Sequence, residues 1–280
     1  MKNELENVHL SFIGCGVMAE SMIAGLLRQN LVAAEQISGS HPREARRREL
    51  EERHGMRMFE SNAEAAKSVS DAPGSAIVLA VKPQRISKVL QDLKGSVADK
   101  GLVISIVAGA TIERISGELG TDRVVRAMPN TPSQIGAGIT AWTCSEAVGE
   151  VEQARVRQLL TALGKELYVE TENMIDMATS LSATGPTYIF MVMEALTDAG
   201  VHLGFSRDIA KELVQETMLG SVKFAMESHK HPAELRNMVT SPGGTSAEAI
   251  YQMEKGTLRT VLSKAVYAAY KRAVELGRKG

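Results

Sequence analysis

The sequence predicts an α/β fold, with a doubly wound parallel sheet over residues 1–170 and an all-helical domain over residues 171–280. In the first part, short β-branched runs alternate with longer helical patterns, as in parallel sheets covered by helices on both faces. Beyond residue 170, long amphipathic patterns replace this alternation. Two glycines follow the first apolar run at the spacing of a tight strand-to-helix turn.

The predicted elements follow from the period of the apolar residues. The strands are 8–13, 36–40, 75–81, 102–107, 124–128, 138–143 and 165–169. The helices of the first domain are 17–29, 43–54, 62–69, 84–93, 111–118 and 150–163. The helices of the second domain are 174–200, 206–229, 232–239, 245–254 and 258–276.

Several of the later helices carry apolar residues on more than one side, for example at 189–193 and 261–266. A small helical domain cannot bury that much apolar surface alone, so we expect a homo-oligomer. The alternative is that these faces pack on the first domain.

The composition excludes several classes of protein. Lys and Arg number 32 against 33 Asp and Glu, so the net charge of −1 predicts no binding to nucleic acid or to anionic membranes. The two cysteines, Cys15 and Cys144, predict a reduced cytoplasmic protein without disulfides. No apolar stretch approaches the roughly 20 residues of a membrane span, and the polar start predicts no secretory signal. The one close histidine pair, His229 and His231, has no neighbouring carboxylate or cysteine cluster, so no metal is predicted.

The first strand runs directly into Gly14-Cys-Gly16-Val-Met-Ala19. Gly14 permits the tight turn, and Gly16 lets a pyrophosphate approach the backbone at Val17 and Met18, the start of the next helix. This arrangement predicts a Rossmann-like dinucleotide-binding domain. A plain tight turn is the alternative.

The second strand ends at Ser40, without the Asp or Glu that accepts the ribose 2′-hydroxyl of NAD. Ser40 with Arg43 and Arg46 suits a 2′-phosphate, so we predict NADPH over NADH, with NADH as the alternative. Asn62, at the start of a later helix, is assigned to the same cofactor. The two arginines could instead be ordinary exposed helix residues.

Further cofactor contacts are expected where other strands end, because ligands of open α/β sheets bind beyond the carboxyl ends of the strands. Lys82 either contacts phosphate or points to solvent, and Asn130 either faces the crevice or belongs to an ordinary turn. The residues assigned on this ground are Ala80, Val81, Lys82, Pro83, Val107, Ala108, Gly109 and Asn130.

A second anion site is predicted in the helical part. The turn Pro242-Gly243-Gly244 precedes Thr245 and Ser246 and leaves bare N–H groups at the start of a helix. An ordinary helix cap is the alternative. Together with the glycine loop, this turn predicts a redox enzyme that acts on a small carboxylate.

These motifs together resemble pyrroline-5-carboxylate reductase. The resemblance extends over essentially the whole chain, and its last motifs are the most specific. The matching segments are Gly14-x-Gly16-x-Met18-Ala19, Ala80-Val-Lys-Pro83, Met128-Pro-Asn-Thr-Pro132, Gly185-Pro-x-Tyr188, Glu194-Ala-Leu-x-Asp-Ala-Gly200 and Ser241-Pro-Gly-Gly-Thr-Ser246.

The resemblance implies NAD(P)H-dependent reduction of 1-pyrroline-5-carboxylate to L-proline, the final step of proline synthesis. It also implies an interlocked homodimer and, beyond that, a ring of dimers. Ser246 is implied as the catalytic hydroxyl near the ring nitrogen, with a capping hydroxyl for helix 245–254 as the alternative. Glu172 is implied as a carboxylate near that nitrogen, with a surface residue at the hinge as the alternative, and Met238 replaces an Asn that some members carry beside the substrate. The implied substrate-binding set is Gly243, Gly244, Thr245, Ser246, Glu172 and Met238.

Two alternatives stay open at this point: a reductase of another cyclic imine, and a non-catalytic NADP-binding regulatory paralogue. A β-hydroxyacid dehydrogenase is disfavoured, because that class needs a catalytic Lys on the long helix and residues 174–208 contain none.

Overall fold

The computed structural model describes residues 3–70, 72, 74–98 and 101–278. The strands in these ranges are β1 (Leu10–Ile13), β2 (Ile37–Ser40), β3 (Arg57–Phe59), β4 (Ala76–Leu79), β5 (Leu102–Ser105), β6 (Val124–Met128), β7 (Gly138–Cys144) and β8 (Gly164–Tyr168). The helices are α1 (Val17–Arg28), α2 (Glu44–His54), α3 (Asn62–Lys67), α4 (Ile86–Leu93), α5 (Ile112–Leu119), α6 (Glu150–Thr161), α7 (Glu172–Ala178), α8 (Gly185–His202), α9 (Arg207–Ser228), α10 (Pro232–Met238), α11 (Thr245–Lys255) and α12 (Leu258–Arg278).

The strands form one sheet in the order β3-β2-β1-β4-β5-β6-β7-β8. All neighbouring pairs are parallel except β6 with β7, which is antiparallel. The predicted doubly wound α/β fold with a helical second part is confirmed. The strand order reverses between β1 and β4, so the crevice at their carboxyl ends is the expected place for a dinucleotide.

Two features of the fold differ from the sequence prediction. Strand β3 was not expected, because it is only three residues long and begins with an exposed arginine, Arg57. The single predicted helix 174–200 is wrong: α7 ends at Ala178, a π-helical turn covers Thr179–Ala183, and α8 begins at Gly185. Pro186 gives the physical reason, since it has no N–H and its ring crowds the carbonyl four residues earlier.

Apolar side chains alternate between the two faces of the sheet and form a core on each. Phe12 and Val78 belong to the core that includes residues of α1 and α6. Ile13 and Leu79 belong to the core that includes residues of α3, α4 and α5. Burial on both faces fixes the register, because a shift by one residue would exchange the two sets.

The chain divides into two compact units. The first contains the described residues up to Thr184 together with those from Ala269 onward, and the second is Gly185–Ala268. Within the second unit, α8 and α9 pack closely at Gly200, where a Cβ would lie 2.9 Å from the Cβ of Ala210. Large apolar side chains of this unit are nevertheless exposed, among them Phe190, Phe224 and Val261.

None of the helices within the described ranges is long and apolar enough to cross a membrane.

Candidate active site

The glycine loop joins β1 to α1 in the form that a dinucleotide requires. Gly14 has φ +87°, and a Cβ there would overlap Cγ1 of Val81. Gly16, with φ −81°, is the N-cap of α1, and a Cβ there would meet no other atom within 4 Å. The backbone N–H groups of Val17 and Met18 have no acceptor among the described residues. The loop therefore leaves open space beside Gly16 and unused donors at the positive end of a helix.

Cys15 lies inside this loop and is fully buried. Its thiol donates to the carbonyl oxygen of Phe12 over 3.4 Å, and its N–H donates to the carbonyl oxygen of Ser40 over 2.9 Å. Burial raises the pKa of the thiol from 9.0 to about 12. A protonated, enclosed thiol packs the turn and is unsuited to act as a nucleophile.

At the predicted ribose end, Ser40 and Asn62 bind each other. The Ser40 hydroxyl donates to Asn62 Oδ1 over 2.7 Å and accepts the Gly14 N–H over 3.3 Å. The Asn62 amide donates to Asp92 Oδ2 over 3.0 Å. Arg43, at the N-cap of α2, is exposed and has no polar side-chain partner within the part of the chain that the structure describes. Arg43 is thus a cation that remains available to a ligand.

Arg46 does not remain available. It donates to Glu20 Oε2 over 2.6 Å, to Glu49 Oε2 over 2.8 Å and to the Cys15 carbonyl oxygen over 3.4 Å. Burial alone would raise the pKa of Glu20, but hydrogen bonds from Arg46, His54 and Arg53 outweigh it and lower that pKa from 4.5 to about 2. The cluster ties α1 to α2 beside the glycine loop, so Arg46 supports the loop.

The other predicted cofactor residues lie where β4, β5 and β6 end, on the same edge of the sheet as the glycine loop. Lys82 is exposed, and Gly109 has φ +76°. Asn130 is already bonded: its Oδ1 accepts the Ile139 N–H over 3.0 Å. The structure thus brings these segments together at one edge: Gly14–Met18, Ala80–Pro83, Val107–Gly109 and Asn130.

Glu172 begins α7 and takes part in an ion-pair cluster that the sequence reasoning missed. Its Oε1 accepts hydrogen bonds from Arg126 Nη1 over 2.9 Å and from the Ile112 N–H over 2.8 Å. The other amino group of Arg126, Nη2, donates to Asp176 Oδ1 over 2.6 Å. The Arg126 side chain is only 1% exposed. An arginine inside the apolar run Val124–Met128, with two carboxylates four residues apart on a later helix, is the signal that could have revealed the cluster.

In the second unit, the turn before α11 has the predicted open helix start. Gly243 has φ +71°, and the Gly244 N–H donates to the Ser241 carbonyl oxygen over 3.0 Å. Gly244 caps α11 without a side-chain hydrogen bond. Among the described residues, neither the N–H groups nor the hydroxyls of Thr245 and Ser246 have a partner. Two donors and two hydroxyls at the positive end of a helix suit a small carboxylate.

Met238 ends α10, six residues before Gly244, and is 56% exposed. Its sulfur lies 3.5 Å from Nζ of Lys230. The predicted residues 238 and 243–246 thus belong to the second unit, whereas Glu172 and the predicted cofactor residues belong to the first.

Comparisons with known proteins agree with this arrangement. Residues 172–276 match the family described as pyrroline-5-carboxylate reductase dimerisation, and residues 9–109 match the family described as NADP oxidoreductase coenzyme F420-dependent. The pyrroline-5-carboxylate reductase of Synechocystis is 40% identical over 273 residues, which cover 98% of this chain and 100% of that protein. The corresponding protein of Pseudomonas aeruginosa is 39% identical, with 95% of this chain and 96% of that protein covered.

Solved structures give the same result. The crystal structure of Plasmodium falciparum pyrroline carboxylate reductase with NADP bound is similar with a TM-score of 0.88 and 30% identity, covering 98% of this chain and 99% of that chain. The pyrroline-5-carboxylate reductase of Coxiella burnetii has a TM-score of 0.85 and 35% identity, covering 97% and 98%. This chain belongs to the pyrroline-5-carboxylate reductase family.

Proposed function

We propose that this chain reduces 1-pyrroline-5-carboxylate to L-proline with NADPH, with NADH as the weaker alternative. The observation that carries the proposal is the open start of α11, where Thr245 and Ser246 present unused N–H groups and hydroxyls. A chain of this family with an intact carboxylate-binding turn has the features that the reaction needs.

The first unit fits a dinucleotide. The empty space beside Gly16 and the unused donors of Val17 and Met18 suit a pyrophosphate, and exposed Arg43 suits a 2′-phosphate. The relative from Plasmodium falciparum was solved with NADP bound, which supports the same choice. We assign Gly14, Gly16, Val17, Met18, Ser40, Arg43, Asn62, Ala80, Val81, Lys82, Pro83, Val107, Ala108, Gly109 and Asn130 to the cofactor site, with Ser40 and Asn62 acting as one hydrogen-bonded pair.

When bound, the reduced nicotinamide would supply the hydride that the C=N carbon accepts. The protonated imine is already electrophilic, so the chain's own tasks are to orient the substrate and neutralise its carboxylate. We assign the carboxylate to the turn that contains Gly243, Gly244 and Thr245. As the ring nitrogen becomes an amine, the Ser246 hydroxyl donates its proton to that nitrogen and regains a proton from solvent water.

Glu172 and Met238 complete the proposed substrate set. One oxygen of Glu172 is taken by Arg126 and Ile112, and Oε2 has no hydrogen-bond partner among the described residues, so it is available to the substrate nitrogen. Met238 is exposed and sits at the end of the helix that leads into the carboxylate turn.

We also propose a dinucleotide-binding domain over residues 1–170 and a substrate-binding and dimerisation domain over residues 171–280. The match of residues 172–276 to a dimerisation family and the exposed apolar side chains of α8, α9 and α12 support a homodimer. A ring of dimers and a cytoplasmic location are further parts of this proposal.

The test is steady-state oxidation of NADPH, and separately of NADH, with 1-pyrroline-5-carboxylate. Ser246→Ala is expected to lower kcat by about 10²-fold, the scale of general acid catalysis. Ser246→Thr, which keeps a hydroxyl, is the matched control and is expected to retain most of the activity.

Two results would contradict parts of the proposal. A Ser246→Ala enzyme within about twofold of wild type would mean that its hydroxyl lowers the barrier by less than about 0.5 kcal/mol and is not the proton donor. An absence of turnover with either cofactor, while NADPH still binds, would favour another cyclic imine as substrate or a regulatory role.

A further inference from the structure

The loop between β5 and α5, residues 106–111, carries three of the proposed cofactor residues. Two contacts from later parts of the chain hold it in place, one from the end of α12 and one from the start of α7. Neither contact belongs to the strand-helix units that build the sheet, although all of these residues lie in the first compact unit.

The first contact is between the backbones of the loop and α12. A Cβ on Gly109 would lie 2.7 Å from the Gly277 nitrogen and 2.7 Å from the Leu276 carbonyl carbon. Gly109 also has φ +76°, which favours glycine. In the other direction, a Cβ on Gly277 would lie 3.2 Å from the Gly109 carbonyl oxygen. The loop and the helix therefore approach each other more closely than side chains would allow.

The second contact fixes the point where the loop enters α5. The Ile112 N–H, the first donor of that helix, donates to Glu172 Oε1 over 2.8 Å. The same oxygen accepts from the buried Arg126 over 2.9 Å. A buried guanidinium holds its carboxylates firmly, because separating them would leave a charge without a partner in the interior.

Apolar packing places the middle of the loop against α7, the helix that begins at Glu172. Ala108 packs on a small cluster that contains Met128 of β6 and Ile175 of α7. The position of the loop therefore depends on α7 at Ala108 and Ile112 and on α12 at Gly109.

We propose that Gly277 and the Arg126–Glu172 pair are positioning residues, which hold the loop 106–111 where the nicotinamide dinucleotide needs it. The inference rests on the proposed function in one respect, the assignment of Val107, Ala108 and Gly109 to the cofactor. The dissociation constant of NADPH, measured without substrate, tests the loop independently of turnover.

The first comparison is Gly277→Ala against Gly117→Ala. Gly117 lies in α5, where a Cβ would meet nothing within 4 Å, so alanine is tolerated there without any shift. Alanine at residue 277 would displace the Gly109 carbonyl oxygen by a few tenths of an ångström. Alanine also has a higher helix propensity than glycine, which offsets this strain in α12. We expect Gly277→Ala to raise the NADPH dissociation constant at least about fivefold, with a Tm close to that of Gly117→Ala. Equal dissociation constants for the two variants would overturn the role of Gly277.

The second comparison is Glu172→Ala against Asp176→Ala. Both remove a carboxylate from Arg126, so both are expected to lower Tm, but only Glu172 also binds the loop at Ile112. We expect a weaker NADPH affinity for Glu172→Ala alone. Equal affinities would overturn the role of the Arg126–Glu172 pair. A Glu172 that contacts only the substrate nitrogen would change the KM for the imine and leave NADPH binding intact, which is also contrary to the proposal.

The two proposals fail in different ways. If the chain turned over no imine but NADPH affinity fell in Gly277→Ala, the positioning role would stand and the proposed reaction would not. If turnover were fast and NADPH affinity were the same in every variant, the proposed reaction would stand and the positioning role would not.

Discussion

Alanine in place of Gly16 should weaken cofactor binding without weakening the fold. Gly16 has φ −81°, which any residue adopts, and a Cβ there would meet no atom within 4 Å. Alanine costs about 0.5–1 kcal/mol as a helix cap relative to glycine. It recovers about 0.4–1 kcal/mol by restricting the unfolded chain. These terms offset each other, so the free energy of unfolding should change by less than about 0.5 kcal/mol.

The added methyl group would occupy open space at the start of α1, next to the unused N–H groups of Val17 and Met18 to which we assign the pyrophosphate. Losing one hydrogen bond to a charged group costs about 1.5–3 kcal/mol. The NADPH dissociation constant of Gly16→Ala should therefore rise about 10-fold to 100-fold.

Gly14→Ala is the contrasting variant. Its φ of +87° costs a residue with a Cβ about 1–2 kcal/mol, and the Cβ would also overlap Val81. We expect a loss of at least about 2 kcal/mol in the free energy of unfolding. Urea unfolding followed by circular dichroism at one protein concentration, and NADPH titration by calorimetry, measure the two quantities. Gly16→Ala binding NADPH within about twofold of wild type, or Gly14→Ala as stable as wild type, would refute the reasoning.

Three further predictions concern charges and surfaces. Glu20 has a folded pKa of about 2 against 4.5, so its carboxylate adds stability that is fully present above pH 4.5 and is lost as the pH falls toward 2. The stability lost in Glu20→Gln, about 3 kcal/mol at neutral pH, should fall to about half by pH 3 in urea titrations; a pH-independent difference would contradict this. Arg43→Ala should raise the NADPH dissociation constant about tenfold and leave that of NADH unchanged. Arg48→Ala is the control: it removes an exposed ion pair with the Glu44 side chain and should change neither dissociation constant. Phe190→Glu should shift the chain toward monomer in sedimentation analysis, whereas Val151→Glu should not. Both side chains are exposed, but only Phe190 lies in the segment that matches the dimerisation family. Equal sedimentation of the two variants would argue against an interface at Phe190.

The α/β alternation could be predicted because its central strands β1, β4, β5 and β6 are buried along their whole length and read as apolar runs. Strand β1 shows this most clearly, since all four of its residues are buried. Strand β3 has an exposed arginine and two half-buried residues, so hydrophobicity gives no comparable signal. The break after α7 was missed because the apolar pattern continues through Thr179–Ala183 and only Pro186 interrupts it.

In the candidate site, too, the features with a local sequence signal were predicted and those that depend on distant residues were not. The two glycine turns were predicted because backbone freedom is encoded locally, in the glycine itself. The contact of Gly109 with Gly277 and the ion pairs of Arg126 with α7 join residues that are far apart in sequence. A buried arginine requires carboxylate partners, but the sequence does not specify which carboxylates provide them.

The helix starts of this chain differ in how their first N–H donors are satisfied. In α5 and α9 the hydroxyls of Thr111 and Ser206 accept a backbone N–H of the first turn. The helices α1 and α11 have glycine at this position and no side-chain cap, so their first donors stay unused. A serine at such a position would add up to about 0.5 kcal/mol of stability over glycine and place its side chain in the space that a ligand needs. Helix α6 also begins at an uncapped glycine, Gly149, so the missing cap does not by itself mark an anion site. In α1 and α11 it leaves the first donors, and the space beside them, to the pyrophosphate and the carboxylate that we assign there.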